Sequence, residues 1–189
     1  MARPRSEDKQ IALLNAAAEI IASHGIGAAM LLISKQAGVA EGTLFRYFPT
    51  KDDLLNELYL YIKQNLGDVL KQNCRQNAPL NELVHALWNS YIEWGIANPA
   101  AIKTLKQLLV SDRITPQTHA KVAELLPEIH EISSASVASG HLASLPQEFA
   151  DAIFMALADT TMLFAAQNTE QSEVYKTAGF NVLWEGFTR

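Results

Sequence analysis

The chain has 189 residues, of which 49% are hydrophobic and 19% charged, a balance that excludes a disordered chain and allows a sizeable buried core. The first ten residues are polar or charged, and no apolar run approaches the ~18 residues of a membrane-spanning helix, so we expect neither a secretion signal nor a membrane partner. The single cysteine, Cys74, excludes an internal disulfide. Together these features predict a cytoplasmic protein.

Charge is unevenly distributed along the chain, whose net charge is -5. Residues 1–51 carry six basic against four acidic side chains, a balance of +2, and the remainder carries nine against sixteen, a balance of -7. A basic end with an acidic body suggests that the basic end meets an anion. Chance fluctuation over a short segment explains the same imbalance, so charge alone does not establish that the basic end binds an anion.

Apolar residues recur with helical spacing nearly throughout the chain, which predicts an all-α fold of about nine helices. Ser6 is the predicted N-cap of the first helix, and Gly25 lies just beyond its end. Two short helices are predicted at about residues 31–37 and 41–48. Thr50 then caps a long helix of about 25 residues.

Prolines mark the starts of the remaining helices. Pro79, Pro99, Pro116 and Pro146 each precede or begin a new apolar period, as first-turn prolines do. We expect Pro127 to kink or split the helix in which it falls. The helices predicted after the long one lie at about 80–97, 99–111, 116–140, 146–167 and 170–187.

The two short helices are predicted to pack across a tight turn. Ser34 and Ala37 are small where the helices touch, and Gly38 permits the left-handed backbone that turns the chain. Leu44 and Phe48, with Val39, fill the junction. A short helix presented by its N-terminal end is the recognition element of a helix-turn-helix. Around its start and exposed face we expect Glu41, Gly42, Thr43, Phe45, Arg46 and Tyr47.

This stretch resembles the signature of the TetR family of bacterial repressors, which runs roughly Ile-Ala-x-x-Ala-Gly-Val-Ser-x-Gly-Thr-Leu-Tyr-x-Tyr-Phe-x-x-Lys. The resemblance covers about the first 70 residues, and beyond them it is one of helix number and length. The segments Ala-Gly-Val-Ala-Glu-Gly-Thr-Leu-Phe-Arg-Tyr-Phe and Trp-Asn-Ser-Tyr-Ile are most similar to the AcrR/RamR-like regulators of multidrug efflux. The matching residues are Ile33, Ala37, Gly38, Val39, Gly42, Thr43, Leu44, Tyr47, Phe48 and Lys51.

The resemblance implies a three-helix DNA-binding head, residues 1–52, and a body for ligand binding and dimerisation, residues 53–189. Within the head, Thr43 is expected to donate to a phosphate or touch a thymine methyl, and Tyr47 and Lys51 to anchor the DNA backbone. The predicted DNA-binding residues are Glu41, Gly42, Thr43, Phe45, Arg46, Tyr47 and Lys51.

Charged residues of the head are expected to contact DNA, and each also has a simpler interpretation. Arg46 is expected to read a guanine edge or bind phosphate, and Glu41 to accept from cytosine N4. Arg3 and Arg5, ahead of the first helix, are expected to add phosphate or minor-groove contacts. For each, the alternative is an ordinary solvated surface residue.

Two features depart from the family pattern. Phe45 lacks the hydroxyl of the usual tyrosine. Residues 28–32 read Ala-Ala-Met-Leu-Leu, where the family has threonines and charged residues. We expect this change to remove the N-cap of the second helix and some phosphate contacts.

The helix predicted at about 146–167 is apolar almost all round, since Asp159 is the only charge between Asp151 and Glu170. Such a helix must be covered on both faces. The resemblance implies that the last two helices pair with those of a second copy to form a homodimer, and a monomer core is the alternative. The residues expected in this seam are Phe149, Ala152, Ile153, Ala156, Leu163, Tyr175, Val182, Leu183 and Phe187.

Aromatic residues at helical spacing in the middle of the chain predict a pocket for a small effector. Apolar walls with few polar groups are typical of such pockets, and aromatic faces with one acid suit a cationic or amphipathic aromatic molecule. Ordinary core packing is the alternative. The predicted ligand-binding residues are Tyr59, Lys63, Trp88, Tyr91, Phe154 and Asp159.

The sequence disfavours an enzyme. Its five histidines are scattered without metal-ligand spacing, and it has no glycine-rich phosphate loop and no nucleophile with an evident base. We therefore predict no metal and no cofactor. The predicted function is a repressor released from double-stranded operator DNA by a small molecule. A ligand-binding helical protein with weak or lost DNA binding is the alternative, and activation instead of repression stays open.

Overall fold

The computed structural model describes residues 6–74, 78–138 and 140–188, and these residues form an all-helical fold. Within them lie ten α-helices, a short 3-10 turn at Thr169–Gln171 and no strand, which confirms the predicted fold class. The helices are α1 Glu7–His24, α2 Met30–Gln36, α3 Glu41–Tyr47, α4 Lys51–Asn73, α5 Leu80–Ala97, α6 Pro99–Leu109, α7 Pro116–Leu125, α8 Pro127–Val137, α9 Gln147–Gln167 and α10 Ser172–Thr188.

The tenth helix arises because Pro127 divides the segment that was predicted as one helix. α7 ends at Leu125, and Leu126 takes a non-helical backbone with φ -132° and ψ 48°. Proline lacks a backbone N–H and disfavours the helical conformation of the residue before it. The expected split is therefore observed, and the described residues hold ten helices instead of about nine.

Local signals set the ends of α1 and α4. Ser6 occupies the predicted N-cap position of α1 with extended backbone, but its side chain makes no capping hydrogen bond, and Gly25 ends α1 with φ +84°. Thr50 and Asp53 bracket the start of α4, because the Asp53 N–H donates to Thr50 Oγ1 at 3.1 Å and the Thr50 N–H donates to Asp53 Oδ2 at 2.9 Å. This reciprocal pair is a capping box, which confirms Thr50 as the cap.

The chain divides into two compact units. The first comprises residues 1–65 and 98–124, and the second comprises residues 66–97 and 125–189. This differs from a division after residue 52, because α6 packs on α1: the buried Thr104 hydroxyl donates to the Ala18 carbonyl at 2.8 Å. The functional division at residue 52 stays a prediction.

The second unit is built around Trp88 of α5, which is fully buried. Its indole N–H donates to the Lys176 carbonyl in α10 at 2.9 Å. Gly179, also in α10, lies where an added Cβ would be only 2.7 Å from the Trp88 ring, so α5 and α10 approach closely at this point. The core of this unit is therefore formed by packed helices, and the Trp88–Lys176 hydrogen bond is buried within it.

α9 and α10 expose much of their apolar surface. Phe149, Leu163 and Val182 are exposed, and Ala152 and Ala156 are exposed beside them. Among the described helices, α9 is the one long and apolar enough to cross a membrane by length and composition, a test that core helices of soluble proteins also pass. These side chains were predicted to lie in the seam, and no other part of the chain that the structure describes covers them.

The prediction is wrong for two residues that were expected in the seam. Leu183 and Phe187 are buried within the second unit. They lie seven and eleven positions after the buried Lys176 and so share the inner stripe of α10 with it.

Candidate nucleic-acid interface

The turn between α2 and α3 has the predicted geometry. Gly38 has φ +67°, in the left-handed region that only glycine adopts without strain. The Val39 N–H donates to the Ser34 carbonyl at 3.0 Å, and Ser34 is buried where the two helices meet. Leu44 and Phe48 are buried and Val39 is half-buried, so the junction is filled as expected.

α3 presents one polar face to solvent. Glu41, Gly42 and Arg46 are exposed and Thr43 is half-buried. Phe45, between them, is 43% exposed, so a large apolar ring lies on a surface that is otherwise polar. Because α3 has only seven residues, its direction is set by packing and not by its own helical stability.

The expectation that Tyr47 lies on the exposed face is wrong. Its side chain is only 7% exposed, because Leu44, Tyr47 and Phe48 stand at i, i+3 and i+4 on the inner stripe of the helix. The Tyr47 hydroxyl accepts the Ser6 N–H at 2.7 Å and donates to the Ser6 carbonyl at 3.1 Å.

Lys51 links the start of α4 to the residues before α2. Its Nζ donates to the Ala28 carbonyl at 2.6 Å, and the side chain is half-buried. The pKa of Lys51 is lowered, first by burial and then by the nearby Arg113 guanidinium, with Asp52 acting in the opposite direction. An ammonium has three donor hydrogens, so this bond leaves donors for an anion.

The apolar stretch before and within α2 is exposed. Leu31 and Leu32 are 42% and 38% exposed, and nothing in the structure explains them. Ala29 occupies the N-cap position, and no side chain caps α2 there. The expected loss of the N-cap is confirmed. Arg3 and Arg5 lie outside the described residues.

Four of the six predicted ligand-binding residues lie together in the second unit. The Phe154 ring meets the Trp88 ring edge-on at 5.6 Å and the Tyr91 ring at 5.4 Å. Trp88 and Tyr91 are buried, and the Tyr91 hydroxyl donates to Met155 Sδ at 3.3 Å. Burial raises the pKa of Tyr91 well above its ordinary value, and the Asp159 charge raises it further.

The other two lie in the first unit. Lys63 Nζ is 5.7 Å from the centre of the Tyr59 ring, and the Tyr59 ring meets His119 at 5.5 Å. Burial raises the pKa of Tyr59. Sequence reasoning missed His119 because its position depends on how α7 packs. It also missed the contacts that Tyr47 and Lys51 make with the backbone of Ser6 and Ala28, because no side-chain pattern signals backbone partners.

A cavity of about 340 Å³ in the second unit shares no residue with the predicted ligand set. It is polar, and Asn73, Glu82, His85 and Asn89 are among its lining residues. Among the described residues no three His, Cys, Asp or Glu side chains are grouped so that they could hold a metal ion.

Comparison with known proteins relates the head to a regulator family. Residues 13–58 match the family described as "Bacterial regulatory proteins, tetR family". Over 65 residues the chain is 37% identical to the fatty acid metabolism regulator protein of Bacillus subtilis, an alignment that covers 34% of this chain and 32% of that protein. The matches to the first curated relatives thus span between a third and a half of those proteins.

Solved structures are similar along nearly the whole chain. A tetR family transcription regulator from Shewanella sp. PV-4 superposes with a TM-score of 0.79 at 27% identity, covering 95% of this chain and 97% of that one. The TetR-like regulator LfrR from Mycobacterium smegmatis, solved in complex with proflavine, superposes with a TM-score of 0.66 at 22% identity, covering 97% and 99%. At this identity, the similarity to LfrR is a similarity of fold alone.

Proposed function

We propose that the chain, whose residues 13–58 match the tetR family of bacterial regulatory proteins, is a DNA-binding transcription regulator that responds to a small molecule, and not an enzyme. The observation that carries the proposal is the helix-turn-helix of α2 and α3. Its turn is fixed by Gly38, and its second helix presents Glu41, Arg46 and the half-buried Thr43. A buried junction behind an exposed polar helix is the arrangement that places side chains in a major groove.

On the DNA, the proposed roles follow from charge and exposure. Arg46 and Glu41 are placed to contact base edges or phosphates, and Thr43 and Phe45 to contact thymine methyl groups. Gly42 lets the helix approach the groove closely. Lys51 binds a backbone phosphate and contributes affinity without sequence preference. Repression, with release by an effector, is the proposed direction of control.

The active form proposed is a homodimer in the cytoplasm. Its seam consists of the exposed apolar faces of α9 and α10, including Phe149, Ala156, Leu163 and Val182. Apolar side chains on both helices favour a helical partner surface of the same kind, and a two-fold dimer reads two half-sites about 34–36 Å apart. The operator should accordingly be close to palindromic.

The proposed effector is a planar aromatic cation or amphipath, as expected of an efflux-type regulator. The supporting observation is the cluster of Trp88, Tyr91 and Phe154 with Asp159 beside it. LfrR, of similar fold, was solved with proflavine, which makes that dye the first compound to test. Tryptophan fluorescence reports binding, and Phe154→Ala should weaken binding while leaving DNA affinity without dye nearly unchanged.

Selection of duplexes from a random pool tests the DNA-binding function. A mobility shift at fixed salt then compares the selected duplex with a scrambled one of equal length. A regulator should prefer the selected duplex by at least about a thousandfold. Arg46→Ala should reduce that preference, and Lys121→Ala, on the exposed surface of α7, should leave it intact.

Equal affinity for both duplexes would instead support a ligand-binding protein with lost DNA binding. The exposed Leu31 and Leu32 are the observation that favours this second candidate, because they put apolar groups where polar phosphate contacts are expected.

A further inference from the structure

The hydroxyl of Tyr47 connects the two ends of the helix-turn-helix head. Tyr47 is the last residue of α3, and Ser6 immediately precedes α1. The hydroxyl oxygen accepts the Ser6 N–H at 2.7 Å, and its hydrogen is donated to the Ser6 carbonyl at 3.1 Å. One side-chain group thus makes two hydrogen bonds to the backbone of a single residue, 41 positions away in the sequence.

This connection matters for the direction of α3. The helix has seven residues, and it ends at Phe48, whose backbone is extended with φ -129° and ψ 91°. Helical hydrogen bonds alone do not hold so short a segment in place. Burial of Leu44 and Phe48 holds one side of it, and the Tyr47 hydroxyl fastens its last turn to the start of α1.

We propose that Tyr47 is a positioning residue for DNA recognition, which acts by fixing the end of α3 to Ser6 and not by binding a phosphate. The proposal rests on the proposed DNA-binding function. A tyrosine hydroxyl has a single hydrogen to donate, and a phosphate oxygen only accepts. Since that hydrogen is donated to Ser6 and the side chain is 93% buried, a phosphate contact would require breaking the link.

A double-mutant cycle tests this link. Tyr47→Phe removes the hydroxyl and keeps the ring. Ser6→Pro removes the N–H that Tyr47 accepts, and the Ser6 φ of -92° is within about 30° of the proline value. Ser6→Ala is the matched control, because the Ser6 side chain makes no capping hydrogen bond. Affinities are measured for the selected duplex and a scrambled duplex across a salt series.

We expect Tyr47→Phe to weaken binding to the selected duplex about three- to tenfold, the effect of one or two neutral hydrogen bonds. The slope with salt should not change, because the Tyr47 side chain is uncharged and its loss alters no counterion release. Ser6→Pro should weaken binding similarly, and Ser6→Ala should leave it unchanged. The variant that combines Tyr47→Phe with Ser6→Pro should bind DNA no more weakly than whichever of these two single variants binds less tightly. Additive losses would overturn the proposal, since they would mean that Tyr47 acts on DNA independently of Ser6.

Amide hydrogen exchange at Ser6 gives a second readout that does not depend on Ser6→Pro folding. The Ser6 amide should be protected in the unmodified chain and exchange faster in Tyr47→Phe. With the selected duplex bound, protection should persist. Loss of protection on DNA binding would show that the hydroxyl leaves Ser6, and it would overturn the proposal. If the unmodified chain prefers no duplex, the DNA-binding function itself fails, an outcome distinct from additivity.

Discussion

The hydroxyl of Thr118 in α7 donates a 2.7 Å hydrogen bond to the side-chain oxygen of Asn56 in α4. The same oxygen accepts the Thr115 N–H at 2.9 Å. On its other side, the Asn56 amide donates to the carbonyls of Asp52 at 2.8 Å and Arg113 at 3.0 Å. One asparagine therefore holds the connection between α6 and α7 against the first turns of α4.

Replacing Asn56 should destabilise the first unit. Asn56→Ala removes all four hydrogen bonds and leaves the buried Thr118 hydroxyl without its acceptor on α4, so we expect the free energy of unfolding to fall by about 1–3 kcal/mol. Denaturant titration measures it. Asn65→Ala, at an exposed position of the same helix, is the control. Equal effects of the two changes would mean that the Asn56 bonds carry no net stability.

Adding one methyl group at Gly179 should destabilise the second unit. The new Cβ would press on the Thr161 side chain and lie 2.7 Å from the Trp88 ring, which is too fully buried to move aside. Overpacking of this kind costs about 1–3 kcal/mol. Gly186→Ala in the same helix has open space around its Cβ and should be neutral or slightly stabilising. A thermal unfolding series that ranks both variants alike would contradict the packing argument.

Lys51→Ala should weaken specific and non-specific DNA binding alike. Losing one phosphate contact should flatten the dependence of log affinity on log salt by roughly one unit. Lys121→Ala removes an exposed charge from α7 and serves as the control. Binding titrations at several salt concentrations decide the matter, and an unchanged slope would remove Lys51 from the interface.

A charge in the proposed seam should separate the dimer. Ala156 is exposed on α9, and Ala156→Glu would bury a carboxylate between two apolar faces, which is unfavourable unless the charge is paired. Sizing chromatography with light scattering should then give monomers. Ala120→Glu, at an exposed position of α7, should stay dimeric. A dimeric Ala156→Glu would show that copies associate through another face.

Stability at alkaline pH should depend on Tyr91. Its pKa in the folded chain lies above the ordinary value of 10.0, so the folded state keeps a proton that the unfolded state loses. The contribution of Tyr91 is therefore complete below pH 10.0 and falls as pH rises towards the folded pKa. Above pH 10.0 the unmodified chain should lose stability more steeply than Tyr91→Phe, by about 1.4 kcal/mol per pH unit. Parallel curves would contradict this, and Tyr175→Phe is the control.

The sequence by itself determined the helical fold and the helix-turn-helix of α2 and α3. Proline, glycine and capping residues act within one or two turns of the chain, so Thr50, Gly38 and Pro127 marked boundaries without knowledge of the rest of the fold. The turn between α2 and α3 was predicted for the same reason. Its geometry depends on a left-handed glycine and on apolar residues one turn apart.

Only the tertiary structure decided what distant residues do. Tyr47 and Leu183 were assigned to surfaces, yet each faces inward, because a helical stripe becomes inner or outer only when its neighbours are in place. The partners of Tyr47 and Lys51 are backbone groups of Ser6 and Ala28, which every residue type possesses and which sequence patterns therefore do not reveal. The packing of α6 on α1 likewise joins segments far apart in sequence, and tertiary contacts alone bring them together.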